Sequence, residues 1–171
     1  MKHYLLVVAG LLLFAAAALA LEKPGPERFD EVRYRRQQVV PFAVDQSLQT
    51  FTKTVHGGVQ HVVVKSPGNT AQIKLIQAHL QKLAEDFRKG DFSETERIHG
   101  ADMPGLVQLK LAAADDIKFE YEALPDGAQI HYSTEYPQYV QALHEWFDAQ
   151  ISDEGNDVIP EHIKHHLRPS E

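Results

Sequence analysis

Hydrophobic and polar positions alternate over two pairs of short segments, and this alternation predicts two β-hairpins. The first pair, LQTFTKTV and VQHVVVK, covers residues 48–65 around a glycine pair. The second covers residues 117–133 around the turn sequence PDG. Glycine and proline between β-branched or aromatic runs are typical of tight hairpin turns. Residues 62–64 are all valine, so this strand is expected to lie in the centre of its sheet.

Apolar residues recur at three- and four-residue steps in three further segments, and this period predicts helices. The clearest covers residues 69–90, with Asn69 as the N-cap and Gly90 where a left-handed C-terminal cap belongs. Two more helices are predicted over residues 104–114 and 136–151, each with a proline in its first turn.

Two segments carry weaker patterns. Residues 90–102 have no sustained period and are expected to form a surface loop. Residues 21–47 begin with a Pro/Gly turn and contain an arginine cluster, so we expect an exposed lead-in with a strand near Val39 and Val40.

The element order predicts an α+β fold. We expect a two-layer sandwich in which an antiparallel sheet of about four strands, from two hairpins, is covered by about three helices. A single α+β domain would cover residues 48–155, after the lead-in at 21–47. Residues 156–171 are polar and would form a flexible, histidine-containing tail.

The first twenty residues read as a secretory signal peptide. Lys2 precedes an apolar run, and Ala-Leu-Ala at positions 18–20 provides a small-x-small cleavage site. A membrane anchor is the competing interpretation, because the apolar run approaches the length of a spanning helix. Cleavage after residue 20 predicts a periplasmic or secreted protein that is not held in the membrane.

Charge and cysteine content exclude several function classes. The formal net charge is −7, which argues against nucleic acid and anionic membrane surfaces as partners. The chain has no cysteine, so it has no thiol nucleophile, and any metal must be held by histidine, methionine and carboxylates. The phosphate-binding pattern GxxxxGK[ST] is absent, so no nucleotide is expected.

Three histidines are candidate metal ligands. His79 and His144 lie at the borders of two predicted apolar helix faces, and His99 lies in the predicted loop. Asp102 and Met103 follow His99 closely, so a turn can aim several of these donors inward. Imidazole nitrogen suits zinc and copper, and methionine sulfur favours copper. The sequence therefore predicts a protein that binds or handles copper or zinc.

Two alternatives remain open, because each of these residues taken alone is more often structural. The first is a small enzyme in which His99 and Asp102 act as base and orienter. The second is a metal-free module that binds a protein partner. In the tail, His162, His165 and His166 offer a weak additional metal site, and nothing in the pattern specifies an oligomeric state.

Six phrases of the chain carry a resemblance: FTKTVHGGVQ (51–60), LIQAHL (75–80), GDF (90–92), IHGADMPGL (98–106), ALPDGAQIHY (123–132) and LHEWFDAQ (143–150). They resemble a group of small bacterial proteins of uncertain function that are often labelled aspartate carbamoyltransferase. The resemblance implies a shared core unit that contains the five candidate ligands, and it brings no established activity. The chain has no Ser-Thr-Arg-Thr-type loop for carbamoyl phosphate.

Overall fold

A computed structural model describes residues 25–154 of the protein. They form one four-stranded sheet and five helices, so the predicted α+β class is confirmed. The elements in chain order are α1 (Pro26–Val39), a 3-10 turn (Val44–Gln46), β1 (Ser47–Thr54), β2 (Gly57–Val64), α2 (Thr70–Arg88), α3 (Ser93–His99), α4 (Leu106–Leu109), β3 (Lys118–Leu124), β4 (Gly127–Ser133) and α5 (Pro137–Glu154).

The sheet joins the two predicted hairpins side by side. Its strand order is β1-β2-β4-β3, and every neighbouring pair is antiparallel. The central pairing sets Gly57 opposite Ser133 and Val63 opposite Gly127. The second strand is therefore central, as its all-valine run predicts, and β1 and β3 form the two edges.

Helices α2 and α5 cover one face of this sheet. Helix α2 packs on β3 and β4, and α5 packs on β1 and β2. The predicted apolar stripe of α2 is buried at Ile76, Leu80, Leu83 and Phe87, and the Asn69 side chain accepts a hydrogen bond from the Gln72 backbone as an N-cap. Aromatic rings meet between the layers; they belong to Phe51, Phe87, Phe92, Phe119, Tyr132, Trp146 and Phe147.

The glycine pair of the first hairpin does not form its turn. Strand β1 ends at Thr54 and β2 begins at Gly57, so the turn consists of the two residues between them. A Cβ atom on Gly58 would lie 2.4 Å from Cε2 of Phe147, and one on Gly57 would lie 2.3 Å from the Tyr132 carbonyl oxygen. The glycines therefore allow the close approach of β4 and α5 to this end of β2.

The expectation of a strand near Val39 and Val40 in the lead-in is wrong, because residues 26–39 form helix α1. Only Val32 and Arg36 of this helix are buried, and α1 packs against α3 and α5. A helix whose inward face includes an arginine has little apolar period, so its sequence pattern resembles that of a solvated segment.

Two predictions about residues 90–114 are also wrong. The predicted loop at 90–102 contains α3, and the predicted helix at 104–114 is reduced to the four residues of α4. Gly105, at the N-cap of α4, has a φ of 76°, and a Cβ atom there would lie 2.1 Å from the Ala142 carbonyl oxygen. Close packing against α5 thus fixes this turn.

The predicted signal peptide at 1–20 and the histidine-containing tail at 156–171 lie outside the described residues. Between residues 25 and 154, no helix has both the length and the apolar character needed to cross a bilayer.

Candidate functional site

A polar pocket of about 30 Å³ lies where α1, α2, α3 and α5 meet the edge of the sheet. Most of its polar wall is buried, which is unusual because uncompensated burial of polar groups is unfavourable. The polar residues that line it are Arg36, Gln49, Gln60, His79, Glu94, Thr95, His99, Gln150 and Glu154. We call this cavity the polar pocket.

His79 reaches the polar pocket from the middle of α2. The Phe42 ring forms a T-shaped contact with its imidazole, with ring centroids 5.5 Å apart. Its Nε2 atom lies 3.3 Å from Oε1 of Glu94. Burial, with smaller contributions from the charges of Lys82 and Arg36, lowers the pKa of His79 to about 4. The imidazole is therefore neutral at neutral pH.

Glu94 faces His79 from the first turn of α3. Burial raises the pKa of this carboxyl above its usual range, and the nearby Lys82 ammonium opposes that shift. The Nζ atom of Lys82 lies 3.8 Å from Oε2 of Glu94. Oε1, the other carboxyl oxygen, is the one directed at the His79 ring.

His99, the last residue of α3, sits between two carboxylates of α5. Its Nδ1 atom lies 3.0 Å from Oδ2 of Asp153, and its Nε2 atom lies 3.6 Å from Oε1 of Glu154. Burial disfavours the charged ring, but the bond to Asp153 and the contact with Glu154 outweigh it and raise the pKa of His99. Arg28 Nη2 also donates to Asp153 and to the His99 carbonyl oxygen, both at 2.6 Å.

Arg36 connects α1 to the sheet and to the end of α5. Its Nη1 donates to Oε2 of Glu154 at 2.9 Å, and its Nη2 donates to Oε1 of Gln49 at 3.2 Å. Gln49 Nε2 donates to the same Glu154 oxygen at 3.0 Å. The Arg36 and Glu154 side chains are only 4% and 3% exposed. These bonds fix one part of the polar wall of the pocket.

Gln150 lines the same pocket from α5, and it is 6% exposed. Its Nε2 atom has no hydrogen-bond partner among the described residues. A buried amide nitrogen without a partner costs about 1–3 kcal/mol. Gln150 therefore brings a buried donor without a partner among the described residues to the wall of the polar pocket.

The structure brings together only two of the five predicted ligands. His79 and His99 line the polar pocket, whereas Asp102, Met103 and His144 do not. Asp102 is exposed, and Met103 is buried in the hydrophobic core.

His144 lies apart from the polar pocket, beside the turn of the first hairpin. Its Nε2 atom contacts the carbonyl oxygens of Thr54 at 3.0 Å and Gly57 at 2.9 Å. The Nε2 atom of His144 is therefore engaged in contacts with the backbone of the hairpin.

Within residues 25–154, no three histidine or acidic side chains surround a common point as metal ligands do. The polar pocket instead holds two pairs of donor atoms, His79 with Glu94 and His99 with Glu154. Comparisons with models of protein families, with curated proteins and with solved structures found no match for this chain. The donor atoms of the polar pocket and the distances between them are therefore the observations that bear on its function.

Sequence reasoning missed Glu94, Glu154 and Arg36 as members of the site. All three are charged, and charged residues are expected at the surface unless they are paired. The available signal is the four-residue spacing of Glu94 and Ile98, which puts both on one face of α3, where the sequence predicts a loop.

Proposed function

We propose that the protein binds a transition-metal ion, copper or zinc, in the polar pocket. His79 and Glu94 would be its first ligands, and His99 and Glu154 would complete the set. This keeps two of the predicted ligands and replaces Asp102, Met103 and His144 with two carboxylates. The predicted export signal would place this binding in the periplasm or outside the cell.

The observation that carries the proposal is the pair formed by His79 Nε2 and Glu94 Oε1, 3.3 Å apart in the wall of the polar pocket. Two tetrahedral ligands at Zn–N and Zn–O distances of about 2.0–2.1 Å are separated by about 3.4 Å. One ion can therefore contact both atoms without a large movement of either side chain.

Size supports an ion over an organic ligand. A small-molecule site usually measures about 300–1,000 Å³, and the polar pocket measures about 30 Å³. A volume of that order holds an ion or one or two water molecules. Nitrogen and oxygen donors without sulfur suit zinc and copper(II).

The bond between His99 Nδ1 and Asp153 also supports the proposal. Metal-binding histidines commonly present one ring nitrogen to the ion and hold the other against a carboxylate. Asp153 would fix the His99 ring in this way and leave Nε2 beside Glu154, which also lines the pocket. His99 and Glu154 would join the ion after Glu154 turns away from Arg36, which predicts modest affinity.

Calorimetric titration with Zn²⁺ and Cu²⁺ tests the proposal. The parent protein carries His162, His165 and His166 replaced by alanine, so that the tail does not contribute. We expect one ion per chain, with affinity reduced at least about tenfold by His79→Ala and by Glu94→Gln. His144→Ala serves as the matched control and should leave the affinity unchanged. A parent that binds no ion, or that depends on His144 and not on His79, would overturn the proposal.

Acid–base chemistry at His99 is a second candidate, because Asp153 orients its ring as the sequence analysis expected Asp102 to do. It ranks lower because the polar pocket would admit only one small group of a substrate. His99→Gln would then abolish turnover while leaving metal binding through His79 and Glu94 largely intact.

A further inference from the structure

A second cavity, of about 190 Å³, opens between the end of α2 and the segment that joins α4 to β3. It shares no lining residue with the polar pocket. Its apolar lining is formed by Phe87, Phe92, Leu109, Ile117 and Phe119, all of which are buried in the core. Because a cavity of about 150 Å³ is known to hold a benzene molecule, the volume here is sufficient for a single aromatic ring with a small substituent.

Arg88 gives the mouth of this cavity a cation. Its Nε atom donates to the Phe119 carbonyl oxygen at 2.9 Å, which anchors the guanidinium beside the apolar lining. In the part of the chain that the structure describes, Arg88 has no acidic partner, although the protein carries a net charge of −7. Lys89 lines the same cavity and is 71% exposed, with its Nζ 4.0 Å from Oδ1 of Asp86.

Charge at this mouth therefore favours an anionic head group. A guanidinium binds a carboxylate through two parallel hydrogen bonds, and Arg88 has its terminal nitrogens available once Nε is occupied. Asp115 is the one acidic residue that lines the cavity, and its charge opposes that of the arginine. Removal of the Asp115 charge should therefore strengthen the binding of an anion, whereas removal of the Arg88 charge should weaken it.

We propose that this cavity is a binding site for a small aromatic monocarboxylate, with the ring among the phenylalanines and the carboxylate on Arg88. The site does not depend on the metal proposed for the polar pocket.

Titration of the full-length protein with benzoate tests the proposal, with benzyl alcohol as the uncharged probe of similar size. Binding is followed by the fluorescence of Trp146, the only tryptophan, whose ring centroid lies 5.6 Å from that of Phe87 and 6.1 Å from that of Phe92. We expect saturable benzoate binding with a Kd of about 1 mM or below, and benzyl alcohol at least about tenfold weaker.

Paired variants separate the roles of charge and space. Arg88→Gln should weaken benzoate at least about tenfold, while Arg33→Gln, at an exposed site on α1, should have no effect. Asp115→Asn should strengthen benzoate binding, because it removes a negative charge and keeps a residue that tolerates the positive φ of 72° at this position.

Ala112→Leu should block the cavity, and Ala78→Leu, on the exposed side of α2, is its control. Absence of benzoate binding would overturn the proposal. So would equal binding of both probes together with indifference to Arg88→Gln, because the cavity would then not select a carboxylate.

Discussion

At the scale of single residues, Tyr132 links the aromatic core to the polar pocket. Its ring is fully buried among Phe119, Trp146 and Phe147, while its hydroxyl donates to Oε1 of Gln60 at 2.7 Å. Burial raises the pKa of Tyr132 well above the ordinary value of a tyrosine. The free energy of unfolding should therefore depend on pH in the alkaline range, where an ordinary tyrosine loses its proton.

Stability should fall more steeply at alkaline pH when Tyr132 is present. The unfolded chain loses the tyrosine proton near pH 10, whereas the folded protein retains it. Because the folded state then binds more protons, the free energy of unfolding falls as pH rises past that point, by up to about 1.4 kcal/mol per pH unit. Urea unfolding at pH 9 and pH 11 measures the slope.

Tyr132→Phe should remove this part of the slope and, at neutral pH, cost about 1–3 kcal/mol by leaving Gln60 Oε1 without its donor. Tyr34→Phe, at a 66% exposed position, is the control and should keep the slope. An identical slope in the Tyr132→Phe and parent proteins would show that Tyr132 does not govern it.

Gly58→Ala should destabilise the protein even though it adds a single methyl group. The new Cβ would lie 2.4 Å from Phe147 Cε2 and 2.6 Å from the Thr52 carbonyl oxygen, so α5 or β1 must shift. Overpacking of this kind costs about 1–3 kcal/mol. Gly25→Ala, where no atom lies within 4 Å, is the control in thermal unfolding. Equal melting temperatures for both variants would contradict the close approach at Gly58.

At the scale of elements, the sequence predicts those that bury a continuous apolar face. Helix α2 and both hairpins have such faces, and all three form over the predicted segments, although the first hairpin turns at residues 55–56 and not at the glycine pair. Helices α1 and α3 turn Arg36, Thr95 and His99 inward, so their buried faces contain polar residues. The period of apolar residues does not reveal such faces, because the polar residues on them are buried against groups from distant segments of the chain.

The same limit applies to the candidate site. His79 was detectable because it borders the apolar stripe of α2, and His99 because of its neighbours in IHGADMPGL. Glu94 and Glu154 become recognisable only when α3 and the last turn of α5 are brought together. The placement of His144 at the hairpin turn also depends on packing, since its position on the helix face resembles that of His79.

Attachment of α1 should depend strongly on the buried ion pair between Arg36 and Glu154. Arg36→Met removes the guanidinium that donates to the buried Glu154 carboxylate, and loss of one partner of a buried pair costs about 3–5 kcal/mol. Arg35→Met breaks only the exposed contact with Glu31, which is worth about 0.3–0.5 kcal/mol. Chemical denaturation compares the two variants, and losses of similar size would contradict the role given to Arg36.

At the scale of the whole molecule, the two layers share one aromatic cluster. Trp146 on α5 contacts Phe87 on α2 and Tyr132 on β4, and it is 1% exposed. The cluster is built from rings of both layers, so the layers should lose their structure together.

Tryptophan fluorescence and far-ultraviolet circular dichroism should therefore report the same urea midpoint, because one reports the cluster and the other the helices. Phe87→Leu should shift both midpoints downward by the same amount. A fluorescence transition that precedes the loss of helix signal would show that the aromatic cluster opens while the layers remain folded.

The pairing of β2 with β4 has a consequence for how fast the protein folds. Each hairpin closes through a two-residue turn, whereas the central pairing joins strands from opposite halves of the chain. Closing a long loop before its contacts form slows folding, and hairpins form in about 1–10 μs. The rate-limiting event should thus be the meeting of two preformed hairpins across the intervening helices, and substitutions at the β2–β4 seam should slow refolding more than those at either turn.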